Sequence, residues 1–344
     1  MTVGVLLMNL GTPDEPSTPA VRRYLREFLM DGRVVDINPV ARAALVHLII
    51  APFRAPKSAH AYQQVWTEAG SPLLVHSEAL ARGVQASLGQ GYRVALGMRY
   101  GNPSLKSALS SLDGCTRIIV VPLYPQYASA TTGTGLEALY QAVSGGLVVP
   151  HLSVVPPFYA HPAYVDAAAA VARPHLDDGD FVLFSYHGIP KRQLPCEPCD
   201  DDAVCPLPSG ERSACYRAQC YATSRALAAA LGLSDAQHTT AFQSRLGSIP
   251  WIRPYTDEVV EQLARERGVK RLAVMCPAFT ADCLETLEEI GIQLREQFLA
   301  AGGERFALVP CVNSAPEWVA GTVRLIREAD GIGGRRIEGV VRSM

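Results

Sequence analysis

A chain of 344 residues is long enough for two domains of ordinary size, each with its own core. It is 48% hydrophobic and 19% charged with a formal net charge of −2, which excludes the basic excess that non-specific nucleic-acid binding needs, so no nucleic acid is expected as a partner. No apolar run reaches the about 20 residues of a membrane span, and the opening MTVGVLLMNLGTPDEP has no basic n-region, so a cytoplasmic protein with reduced thiols is expected.

Apolar runs alternate with helical patterns along the chain, the signature of an α/β protein with mainly parallel sheets. The first strand candidate, GVLLMNLG (4–11), is followed by a helical stretch at 18–30. NPVARAALVHLIIAPF (38–53) is unusually apolar, and reads either as a packed helix or as a lip in peripheral contact with a membrane. A helix at 75–88 leads to the strands RVALGMRYG (93–101) and RIIVVPLYPQY (117–127), a helix at 135–143 and the strand GLVVPHLSVV (146–155). The Pro-rich PPFYAHP divides the chain into a first domain over 1–157 and a second over 158–314. The second domain has helices at 161–173, 221–231, 255–267 and 282–300. Its strands are DFVLFSYHG (180–188), HTTAFQSRLG (238–247), RLAVMCPAF (271–279) and RFALVPCVN (305–313). A helix at 316–328 follows, and the Gly-rich tail 331–344, without periodicity, is expected to be loosely ordered.

The apolar runs turn polar or aromatic at their C-terminal ends, at Asn9, Arg99–Tyr100, Tyr124–Gln126–Tyr127, His187, Gln243–Ser244–Arg245 and Asn313. Ligands bind outside the carboxyl ends of strands in open α/β sheets, so two facing sheets would gather these groups around one cleft. TTGTGLEA carries G-x-G-x-x-A at Gly133, Gly135 and Ala138, but it follows its strand too late for a dinucleotide fingerprint. It reads as a polar loop capping a helix, or as a cradle for an anionic ligand group.

His187 directly follows a strand, with Gly188 allowing close backbone approach. Its position alone is equally consistent with a hydrogen-bonded structural histidine. In CPAFTADCLETLEEI, Asp282, Glu285 and Glu289 stand at i, i+3 and i+7, on one stripe of a helix. A capping box accounts for Asp282 and Glu285 but not for Glu289. Stacked like charges need a cation or a proton among them. A histidine and a carboxylate row make a general-base and metal-handling pair.

SYHGIPKR, AFQSRLGSIPW, CPAFTADCLETLEEI, GMRYGNP and YPQYASATTG resemble, in order, the signature segments of the ferrochelatases over roughly residues 3–328. The resemblance implies an α/β chelatase fold: two Rossmann-like domains, each a parallel sheet flanked by helices, around a porphyrin cleft, with a helix at 315–330 returning to the first domain. It implies a lyase that inserts Fe2+ into protoporphyrin IX. His187 would be the proton acceptor or metal-delivering residue, Glu285 would face it across the macrocycle, and Asp282 and Glu289 would continue an acidic path to solvent. Arg99, Tyr100, Tyr124, Tyr127, Ser129, Gln243, Ser244 and Trp251 match positions that line or support the cleft, and Arg54 and Tyr62 match residues near the porphyrin carboxylates. Two departures stand out. Cys283 occupies a position that is histidine in some relatives, and Leu10 replaces the tyrosine of the coproporphyrin-using branch, which favours protoporphyrin.

Relatives pass quickly from the GIP-like turn to the segment matching YRAQCYATS; here an insertion at about 193–215 carries Cys196, Cys199, Cys205 and Cys215. Four thiols on a Pro-, Asp- and Gly-rich loop point to a crosslink rather than to packing. Tetrathiolate zinc usually shows two C-x-x-C pairs, and only one is present. A 2Fe–2S cluster tolerates irregular spacing, and some ferrochelatases carry one, so these four are the expected ligands, with Cys220 as substitute. Disulfides or free thiols are the remaining readings. Cys115, Cys276 and Cys311 read as small buried apolar residues. The competing functions are a coproporphyrin ferrochelatase, a cobalt-inserting chelatase, or a carrier of tetrapyrrole or metal that does no chemistry.

Overall fold

The structure is a computed structural model that describes residues 2–196, 204–245 and 249–331. The first half runs β1 (Val3–Thr12), α1 (Thr18–Leu29), α2 (Pro39–Ala44), a π-helical turn (Leu45–Ile50), α3 (Ala51–Val65), α4 (Pro72–Leu88), β2 (Tyr92–Gly101), α5 (Leu105–Ser111), β3 (Arg117–Pro122), α6 (Thr134–Ser144) and β4 (His151–Val154). The second half runs α7 (Pro162–Ala172), β5 (Phe181–His187), α8 (Tyr216–Leu231), β6 (His238–Gln243), α9 (Thr256–Arg265), β7 (Arg271–Met275), a π-helix (Glu285–Leu294), α10 (Arg295–Ala300), β8 (Arg305–Leu308) and α11 (Pro316–Ala329).

Two parallel sheets of four strands result, ordered β2-β1-β3-β4 and β6-β5-β7-β8. The halves therefore repeat one topology, whose strand order reverses between β1 and β3 in one sheet and between β5 and β7 in the other. Burial on both sheet faces explains the unbroken apolar runs. Along β1, Val5 and Leu7 join one core cluster, while Leu6 and Met8 join another on the opposite face. Along β5, Val182 and Phe184 face the cluster that holds Val5, and Phe181 and Leu183 turn to a third. One core thus runs from the first sheet to the second, where the sequence suggests a core for each half.

The last helix seals this shared core. Trp318 of α11 is fully buried against Phe158 and Tyr164, with ring centroids 5.6 Å from each. Asp330 then ion-pairs with Arg117 at 2.7 Å and accepts from the Tyr92 hydroxyl at 2.7 Å, fastening the end of α11 to the first half.

All eight expected strands form, but several stop early. β3, β7 and β8 leave the sheet at or just before Pro122, Pro277 and Pro310, which lack the amide a ladder needs. The expected helix at 282–300 is instead a π-helix that continues into α10. α8 begins at Tyr216, five residues earlier than the sequence suggests. Cys115, Cys276 and Cys311 are buried, as small apolar residues would be. The tail beyond residue 331 lies outside the described residues.

Candidate active site

A crevice of about 200 Å³ opens where the strand order reverses in both sheets. The first half lines it with the end of β1 (Asn9 to Thr12), with Leu123, Tyr124 and Gln126 after β3, with Tyr24 and Phe28 of α1, and with Tyr62 of α3. The second half supplies His187 to Pro190 after β5, Trp251, and the segment after β7 that includes Phe279, Cys283 and Glu285. Most of the wall is aromatic or aliphatic, which suits a flat apolar ligand with few polar anchors. Gly11 is required in it: its φ is +114°, and a Cβ there would lie 1.8 Å from the Tyr100 carbonyl oxygen.

His187 ends β5, half-buried between Trp251 and Phe279, with ring centroids 6.5 and 6.4 Å away. Its Nδ1 lies 2.6 Å from the Gly188 carbonyl oxygen. A carbonyl only accepts, so Nδ1 carries the proton and Nε2 keeps its lone pair for a proton or a metal. Gly188 permits the close turn this needs, since a Cβ would meet the Gln243 carbonyl oxygen at 2.8 Å.

The three acids part company. Glu285 lines the crevice at the start of the π-helix, where the neighbouring Leu284 packs against Val21, Ala55 and Tyr62 of the first half. Burial pushes the phenols of Tyr24 and Tyr62 well up, and the Glu285 carboxylate adds to both shifts. Glu289 accepts from Ser244 Oγ. Its pKa is raised, chiefly by burial; the Ser244 hydrogen bond and His187 oppose the shift, and Glu285 adds to it. Asp282, like Glu289, is not among the residues that line the crevice. Its carboxylate accepts from Asn313 Nδ2 at 2.7 Å, from Thr286 Oγ1 at 3.2 Å and from the Cys311 amide at 3.2 Å, so it fastens the loop before the π-helix. No capping box forms, because the Asp282 amide that Glu285 would have to reach donates instead to Asn313 Oδ1 at 2.8 Å. His187 and Glu285 follow β5 and β7, adjacent strands of one sheet.

Among the described residues, the two non-glycine residues with positive φ are Ser244 (68°) and Asn313 (48°), and each holds one of these acids. Such backbone costs about 1–3 kcal/mol per residue and persists where its surroundings over-determine it. Gln243, buried beside Ser244, donates from Nε2 to the Glu285 carbonyl at 2.9 Å.

The remaining expected cleft residues divide. Tyr62, Tyr124 and Trp251 line the crevice. Arg99 and Tyr100 sit behind it, both donating to the buried Asp31 carboxylate together with Thr134. Ser129 accepts from Arg33 at 3.1 Å, and the Tyr127 amide donates to Gln219 at 2.7 Å. Arg54 is exposed on α3 and does not reach the crevice. Tyr24 and Phe28 escape the strand-end reading because they sit on a helix; their i, i+4 spacing is the signal for them.

In the insertion, Cys196 and Cys215 thiols lie 3.2 Å apart, too far for a disulfide and close enough to share one metal. Cys205 Sγ accepts from Arg217 Nη1 at 2.8 Å. Burial, with Cys196 adding, pushes the Cys215 thiol up to about 12. Cys220 is fully buried on α8. Cys199 lies outside the described residues, and among the described residues no three His, Cys, Asp or Glu side chains are arranged to hold a metal.

The architecture is similar to that of SirB from Bacillus subtilis, solved with Fe3+, at 12% identity and a TM-score of 0.54 with 96% of each chain covered, which identifies the chelatase-type fold. The sequence model of the Ferrochelatase family matches residues 2–330. The ferrochelatase of Legionella pneumophila (strain Paris) is 49% identical over 332 residues, covering 95% of this chain and 99% of its relative. That of Coxiella burnetii (strain CbuG_Q212) is 46% identical over 338 residues, with 95% and 94% covered. The chain belongs to the ferrochelatase family, lyases that insert iron into a porphyrin for haem synthesis.

The raised Glu289 pKa carries a sign that can be measured. The folded state holds this proton more tightly than the unfolded one, so the site is least unfavourable below about pH 4.5 and stability falls as pH rises through the folded value. Glu289→Gln keeps an acceptor for Ser244 without the charge. In metal-free protein its thermal midpoint is expected to exceed wild type at pH 7–8 and to match it near pH 4; an equal difference at both would contradict the burial argument.

Proposed function

We propose that the chain inserts Fe2+ into protoporphyrin IX at this crevice. Metallation must remove two pyrrole protons, desolvate the ion and bend the macrocycle. His187 Nε2 is the acceptor for the pyrrole protons or the last ligand to the incoming iron, and Glu285 and Glu289 stabilise the cation and carry protons away. The observation that supports this most strongly is the tautomer of His187: its Nδ1 proton is committed to the Gly188 carbonyl, leaving Nε2 free beside the acidic π-helix. Asp282 contributes by holding the loop, and Arg99 and Tyr100 by supporting the wall. Leu10, which lines the crevice, keeps that wall apolar and favours protoporphyrin. Under anaerobic conditions with Fe2+ and protoporphyrin IX, His187→Ala is expected to lower turnover by about 100-fold or more and Glu285→Gln by about 10-fold. Haem formation at the wild-type rate by both variants would refute the assignment.

Cys196, Cys199, Cys205 and Cys215 are proposed to hold a 2Fe–2S cluster, with Cys220 as substitute. The sulfur donors and the 3.2 Å approach of Cys196 to Cys215 suit such a centre, which when bound supplies a crosslink and a one-electron redox couple. Purified wild type is expected to contain iron and acid-labile sulfide and to absorb visible light, and Cys199→Ser to lose all three; a colourless wild type containing zinc alone would favour the tetrathiolate reading.

Residues 38–53 are proposed to touch a membrane surface peripherally. Val40, Leu48 and Phe53 are 79%, 70% and 76% exposed, beside a crevice for an apolar ring, although no helix among the described residues is long and apolar enough to cross a bilayer. Leu48→Ser with Phe53→Ser is expected to abolish co-sedimentation with phosphatidylcholine/phosphatidylglycerol vesicles, and equal sedimentation would exclude this contact.

A further inference from the structure

The first residue of α8, Tyr216, stands between two features otherwise described apart. It directly follows Cys215 in sequence, its side chain is buried, and it lines the crevice. Its hydroxyl donates to the carbonyl of His187 at 2.8 Å. The amide of the same peptide unit, the Gly188 N–H, donates to the Gln243 carbonyl at 2.8 Å. The peptide plane joining His187 to Gly188 is therefore held at both ends, by α8 on one side and by the end of β6 on the other. That plane fixes the Cα atoms of both His187 and Gly188, and so the hinge from which the Gly188 carbonyl, in the next peptide unit, meets the imidazole Nδ1 at 2.6 Å. A tilt of the plane would move Nε2 within the crevice. A carbonyl only accepts, so the Tyr216 hydroxyl is the donor of this bond.

The thiols of Cys196 and Cys215 meet at the N-terminus of the same helix. Whatever joins them fixes the first turn of α8, and with it Tyr216. We propose that Tyr216 is a positioning residue for His187, and that through it the state of the cysteine site sets the alignment of the base. This rests on the proposed roles of His187 and of the cysteines as metal ligands. The coupling is mechanical: a shared helix turn and one hydrogen bond, with no electron or atom passing between the sites.

The test is a double-mutant cycle of wild type, Tyr216→Phe, Cys196→Ser and the double variant, assayed anaerobically with Fe2+ and protoporphyrin IX. Tyr216→Phe keeps the ring and removes the donor. It is expected to lower kcat by about 5- to 10-fold with KM for the porphyrin and the visible absorption unchanged. Cys196→Ser is expected to lower kcat, and the double variant to lose no more than the larger single loss, because both changes act through one plane. Wild-type turnover by Tyr216→Phe, or single losses that multiply in the double variant, would overturn the proposal. Failure of the underlying readings shows elsewhere: full turnover by His187→Ala removes the base, and wild type without bound metal removes the occupied cysteine site. Either result overturns the coupling for a reason distinct from Tyr216.

Discussion

One hydrogen bond, from His187 Nδ1 to the Gly188 carbonyl, organises the chemistry of this crevice. It commits one ring nitrogen and leaves the other as the one the proposed mechanism assigns to the substrate. Glycine at 188 allows the close packing behind it, since a Cβ there would meet the Gln243 carbonyl oxygen at 2.8 Å. The same Gln243 holds the Gly188 amide through its backbone and the Glu285 carbonyl through its side chain. His187 and Glu285 thus share a support, which ties their relative position to the end of β6.

The acids are held less cheaply. Glu289 is half-buried, carries a raised pKa and is met by a serine in left-handed backbone. Asp282 is held by an asparagine in the same conformation, and its three hydrogen bonds fix it in the loop before the π-helix. Similar residues on one stretch of chain therefore do different work. Asp282 locks the loop, Glu285 faces the crevice, and Glu289 sits behind it beside His187 and Glu285.

Much of this is legible in the sequence. Continuous Val/Ile/Leu runs mark two-sided burial, and the polar residues that end them mark the crevice, because strand order reverses at the same place in both sheets. The resemblance of the quoted motifs to ferrochelatases agrees with the family match over residues 2–330. What escapes is set by contacts distant in sequence. Arg99 and Tyr100 end a strand as a cleft residue would, yet the buried Asp31 draws them away from the crevice. The stripe of acids presumes an α-helix from residue 282, whereas a π-helix begins at Glu285 and Asp282 stays in the loop. Tyr24 and Phe28 look like ordinary core positions of an amphipathic helix until the fold turns that face toward the second half.

The central claim is that a tetrapyrrole lies in this crevice within reach of His187 Nε2. Its most direct test is a crystal structure of the protein with protoporphyrin IX bound. The account predicts the ring between Leu10, Tyr124 and Trp251, with the His187 ring nitrogen and the Glu285 carboxylate both directed at the pyrrole nitrogens. A ring bound outside the crevice, or one whose centre faces neither group, would contradict it.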